Sequence, residues 1–141
     1  MSVITDIADA VVTSLNGGAF SLPFKSTRAY VPITELKNLK SLTVFVVPKD
    51  QEITLLDRKK TDHEIRLDIG IHQKVSSSDN SELDPLFALV DEIIDFITDT
   101  RVFGDGIWLE TENNPIYSPD HLIEMRVFTS LITITLKYVK S

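Results

Sequence analysis

The stretch DHEIRLDIGIHQKV, residues 62–75, decides the fold. His63, Ile65, Leu67, Ile69, Ile71 and Val75 share one parity, and Asp62, Glu64, Arg66, Asp68, His72 and Lys74 share the other. Alternation with period two belongs to a strand with one dry face and one wet face. A helix would scatter the same apolar residues around its cylinder. The stretch therefore predicts a strand whose sheet buries one side.

Upstream, Leu42–Val47 is an almost unbroken β-branched and apolar run, which predicts a strand buried on both faces. Pro48-Lys49-Asp50 predicts a turn, Glu52–Asp57 a returning strand, and Arg58–Thr61 a hairpin tip. Arg28–Ile33 predicts a short strand that Pro32 confines to an edge. Nearer the start, Ile4, Ile7, Ala8, Val11 and Leu15 recur at helical spacing behind a capping Ser2, and Asn16-Gly17-Gly18 supplies the stop.

Downstream, Ser76–Asn80 is a polar link. A helix follows over about 81–101, where Leu83, Leu86, Phe87, Leu89, Val90, Ile93, Ile94, Phe96 and Ile97 fill half the wheel. Gly104-Asp105-Gly106 breaks it. Ile107–Glu110 predicts a short strand and Asn113-Asn114-Pro115 a turn. Ser118-Pro119-Asp120 places a cap before a proline at the first helical position, so a one-turn helix is expected there. The last element, about 124–139, is a long strand rich in Thr, Ile, Val and Phe. Together these predict the α+β class: an antiparallel or mixed β-sheet with two main amphipathic helices packed on one face, in a single domain over 1–141.

With 141 residues, 43% of them hydrophobic, the chain can bury a real core without disulfides or a metal. It has no cysteine, which excludes thiolate nucleophiles and thiolate metal sites. A net charge of −7 and a pI near 4.8 argue against a nucleic-acid footprint and against anionic membranes. No apolar run approaches the roughly 20 residues that span a bilayer. The first residues lack the basic start of a signal peptide.

Enzyme signatures are missing: no G-x-S-x-G, P-loop, G-x-G-x-x-G or H-E-x-x-H occurs. His63 and His72 differ in parity and leave opposite faces of their strand. Glu64, Asp68 and His72 share a face, but alternate strand residues lie about 7 Å apart and these are spaced twice that, too far for one metal ion. The expectation is a solvated sheet face, with no catalytic residues, no metal and no cofactor.

Charge placement is more informative. Asp84, Asp91, Glu92, Asp95 and Asp99 occupy one arc of the second long helix with no Lys or Arg among them. Each i,i+4 like-charge pair costs a few tenths of a kcal/mol. The arc is either a surface for a basic partner or a solvated face that aids solubility. Arg58, Lys59 and Lys60, at the expected hairpin tip, form the only dense basic cluster and suit head-to-tail contact between identical copies. Trp108 lies between Ile107 and Leu109, which have the opposite parity. It is expected either at an interface or in a secondary core.

Three passages carry a resemblance: the leading helix VITDIADAVVTSLN, the strand pair SLTVFVVPKDQEITLLDRKKTDHEIRLDIGIHQKV, and ELDPLFALVDEIIDFITD followed by LETENNPIYSPDHLIEMRVFTSLITITLKYV. In layout the chain resembles the tail-terminator and tail-completion (neck) proteins of tailed bacteriophages. The resemblance implies a virion structural protein, made in the host bacterial cytoplasm and placed in the tail or neck. Its subunits would form a ring, commonly of six, that caps the tail tube and meets the head–tail connector. Its partners would be further copies of itself, the tail tube protein and a connector or neck protein, with DNA only as passing cargo. A head-closure or connector subunit is the nearest alternative, and a small ligand-binding domain the more distant one.

Overall fold

The structure is a computed structural model that describes residues 2–30 and 41–141. Its elements are α1 (Val3–Gly17), β1 (Lys25–Arg28), β2 (Thr43–Leu55), β3 (Thr61–Lys74), α2 (Asn80–Thr100), β4 (Val102–Phe103), β5 (Gly106–Asn113), α3 (Pro119–Met125) and β6 (Val127–Lys140). Among the described residues one sheet holds the strands in the order β1-β2-β3-β6-β5-β4. β1 runs parallel to β2 and the other pairings are antiparallel, so the sheet is mixed and the fold is α+β.

β3 is central: it pairs with β6 along its whole length and with β2 from Thr61 to His72. Ile71 lies opposite Val44 and Ser130, Ile69 opposite Val46 and Ile132, and Leu67 and Ile65 opposite Ile134 and Leu136. These side chains, all buried and all aliphatic except Ser130, make one continuous face. α1 sets Ile7, Ala8, Val11 and Leu15 on it, and α2 sets Leu86, Leu89, Val90, Ile93 and Ile97. Burial of a single such aliphatic side chain stabilises by about 1.5–3 kcal/mol, so this face dominates the folding free energy. Gly106 lets α1 come close to β5: a Cβ there would meet Ile7 Cγ2 at 3.2 Å. Asn16 ties the end of α1 to β1, its Oδ1 accepting from Ser26 N at 2.7 Å and its Nδ2 donating to Ser26 O at 3.1 Å.

Pro48-Lys49-Asp50 is a bulge inside β2, not a turn. Pro48 pairs with Leu67 and Asp50 with Arg66, which leaves Lys49 as the extra residue. Proline is tolerated at a bulge, and here it also lies beyond the last β1 pairing, at Val46, so its missing N–H breaks no β1 pairing. The turn comes where Arg58–Thr61 placed it. Leu56 N donates to Lys60 O at 2.9 Å, and the Asp57 carboxylate accepts from Lys59 N and Lys60 N at 2.8 and 3.0 Å.

The strand expected over Arg28–Ile33 is found earlier, at Lys25–Arg28, and its 31–33 portion with Pro32 lies outside the described residues. Ser118 caps α3 as expected, its hydroxyl accepting from His121 N at 3.3 Å. α3 runs for 7 residues, longer than the single turn expected.

Candidate functional site

The sheet outruns its helices. Past the bulge, Gln51, Ile53 and Leu55 continue the apolar parity of β2, yet every residue from Lys49 to Lys60 is exposed. Ile53 is 54% exposed, Leu55 75% and Leu56 50%. Arg58, Lys59 and Lys60 follow at the tip, and no carboxylate forms an ion pair with them among the described residues.

The bare far half of β2 is nonetheless ordered by polar packing at its base. His63 is buried with both ring nitrogens engaged, Nδ1 with Gln51 Oε1 and Nε2 with Thr61 Oγ1, each at 2.8 Å. Since the amide oxygen can only accept, Nδ1 donates to Gln51. The ring stacks on Tyr138 at 4.4 Å. Arg66 pairs with Asp50 across the bulge.

On α2, Asp84, Asp91, Asp95 and Asp99 are exposed and lack a cation partner among the described residues. Glu92, grouped with them in the sequence, serves the fold itself. It is half-buried and accepts from the backbone N–H and hydroxyl of Ser21, fastening the α1–β1 loop. Trp108 faces the helices. It is half-buried against the core opposite Leu136, and its Nε1 donates to Thr111 Oγ1 at 2.8 Å. Leu109 is the extra residue of a second bulge; Ile107 and Leu109 both face away from Trp108 and are the exposed residues.

Two features escaped the sequence reading. The first is a cavity of about 350 Å³ on the sheet face away from α1 and α2. Phe45, Val47, Leu131 and Pro115 wall it, with Gly70, His72, His121 and Thr129 at its floor. His72 stood on the expected wet face, but it is only 7% exposed. Gly70 makes room for it, since a Cβ there would lie 2.8 Å from His72 Nε2. Thr129 Oγ1 links the two imidazoles, at 3.0 Å from His121 Nδ1 and 3.5 Å from His72 Nδ1. Burial, with a smaller contribution from His121, pushes His72 down to about 4, so it is neutral at physiological pH. Among the described residues no group of three His, Cys, Asp or Glu side chains could hold a metal ion.

The second is an apolar end. Ile116, Tyr117, Ile123 and Met125 are exposed around α3. Between α2 and α3 runs a groove of about 420 Å³ lined by Leu83, Phe87, Tyr117, Leu122 and Ile123, with Asp84 on its rim. The residues were visible in the sequence, but their assembly depends on how α3 meets α2.

No family model matches this chain, and no curated protein does either. No helix among the described residues is long and apolar enough to cross a membrane.

Proposed function

We propose that this chain is a structural subunit that works as a closed ring of identical copies, and that the ring is a phage tail terminator: it caps the tail tube and joins it to the head–neck connector within the virion. The observation that carries the assembly reading is the bare far half of β2. A strand pair held in register by His63, Gln51 and Tyr138 while Ile53, Leu55 and Leu56 stand in water is costly unless another surface covers it. The basic tip and the acidic α2 stripe give one chain two surfaces of opposite sign, the arrangement a head-to-tail contact uses. The terminator assignment rests on the resemblance in layout. An acidic lumen would let DNA pass without sticking, and the net charge of −7 is compatible with it.

Light scattering coupled to size exclusion tests the ring. The expected result is a single species at a fixed multiple of 15.9 kDa that co-elutes with tail tube protein. A strict monomer at high concentration, with and without tube protein, overturns the reading. Co-purification with connector protein and not with tube protein moves the role to head closure.

The cavity at His72 favours a second reading, a small apolar ligand bearing one hydrogen-bonding group. A thermal-shift screen of simple phenols checks it. Stabilisation of the wild type that Phe45→Ala removes supports it, and a flat response across the series sets it aside.

A further inference from the structure

The two ends of the sheet carry exposed apolar groups that cannot reach each other. β3 alone has 14 residues, which at about 3.3 Å per residue puts the ends roughly 45 Å apart. At one end Leu55 and Leu56 project beside Arg58, Lys59 and Lys60. Asp57, the acid of that turn, has its carboxylate folded back onto Lys59 N and Lys60 N, so the outward surface of the tip is basic. At the other end Leu83, Phe87, Leu122 and Ile123 line the α2–α3 groove beside Ser78 and Asn80. Phe87 and Tyr117 meet edge to face at 5.6 Å and form one wall. Asp84 lies on the rim, with exposed Asp79, Asp120 and Glu124 at the same end against Lys74 and Arg126.

We infer that the β2–β3 tip of one copy docks into the α2–α3 groove of a second copy, Leu55 and Leu56 entering the groove while Arg58–Lys60 lie against Asp84 and the acidic stripe beyond it. The groove volume of about 420 Å³ has room for two leucine side chains. Asp91 follows Asp84 by seven residues, about 10 Å along the helix. The basic residues next to Leu56 therefore fall beside carboxylates that lack a cation partner among the described residues. A second copy is the occupant the charges favour: this acidic chain has one dense basic cluster, and it stands directly beside the apolar residues that need cover. The contact joins unlike surfaces, so it repeats from copy to copy. It ends in a ring where the rotation per copy closes and in a filament where it does not. The inference rests on the ring reading and adds to it the surfaces that meet.

The chain has no cysteine, so introduced thiols report on this contact without background. Two single variants, Leu55→Cys and Ile123→Cys, are mixed and gently oxidised. The expected result is a disulfide-linked dimer that forms in the mixture and in neither variant alone. Leu55→Glu is expected to reduce the assembly to a 15.9 kDa monomer without shifting its far-UV melting curve, because Leu55 is largely exposed. Lys59→Glu weakens the assembly, and Asp84→Lys in the same chain restores it. If the wild type assembles but gives no mixed dimer, and Leu55→Glu keeps its mass, the tip–groove contact is wrong while the ring reading stands. If the wild type is monomeric at every concentration, both fall. A Leu55→Cys variant that cross-links to tube protein bearing surface thiols, and not to Ile123→Cys, overturns the second copy as occupant.

Discussion

One strand, β2, lives in two environments, while its partner β3 stays buried beside both: Ile65 and His63, opposite Gln51 and Ile53, are buried. In the first half of β2, Val44 and Val46 are fully buried under α1 and α2, opposite Ile71 and Ile69. In the second half, past the Lys49 bulge, the β2 side chains of the same parity stand in water. Backbone pairing resumes past the bulge and runs down to Leu55 opposite Thr61. Hydrogen-bonded pairing alone therefore does not mark where the fold ends. Burial is concentrated in the helix-covered half, and the far half of β2 is held by pairing and polar contacts.

The sharpest way to break that contrast is to empty the covered half. Ile132→Ala removes a fully buried side chain opposite Ile69, and a loss of about 2–5 kcal/mol is expected in urea unfolding. A loss below about 1 kcal/mol would show the covered half to be no more critical than the bare one.

Acid probes the sheet's other face at the same level. His72 is held near pKa 4 by burial, below the 6.5 of the free side chain. The unfolded chain takes up the proton first, so the stability set by this one group is fully present above about pH 6.5, is lost as pH drops, and its loss is complete below about pH 4. The total loss is on the order of 3 kcal/mol. His72→Leu should flatten that part of the stability–pH curve.

A smaller effect is expected at the rim of the core. Thr111→Val deprives Trp108 Nε1 of its acceptor at a half-buried site, with an expected cost of about 1 kcal/mol and a shift in the emission of the single tryptophan. Smallest of all, Ile53→Thr in the bare half should change monomer stability by less than about 0.5 kcal/mol. If it costs as much as Ile132→Ala, the bare half belongs to the core and the division fails.

These two halves also differ in how well the sequence reveals them. β3 is legible because each residue of 62–75 carries parity information and no bulge interrupts it. The long helices are legible for the same reason at a period of 3.6. β2 reads as two strands because the extra Lys49 moves the inward parity from Val44 and Val46 to Ile53 and Leu55, and Pro48 mimics a turn. Trp108 takes the core side of its two expected places, with Leu109, the extra residue of the second bulge, exposed beside it. The cavity is invisible in the sequence because Phe45, His72, His121 and Thr129 come from four separate elements, and only their register brings them together. The basic tip and the acidic stripe can be read from charge alone, but the use of Glu92 to hold Ser21 cannot.

The Lys49 bulge has a further consequence. Every other residue of β2 from Thr43 to Leu55 has a cross-strand partner on β3, so an inserted or deleted residue elsewhere in that span would shift the ladder. At the bulge one residue can come or go while Pro48–Leu67 and Asp50–Arg66 stay in place. The protruding part is thus joined to the domain at a length-tolerant seam, and its reach and side chains can diverge or be engineered as a cassette without re-registering the strands beneath the helices.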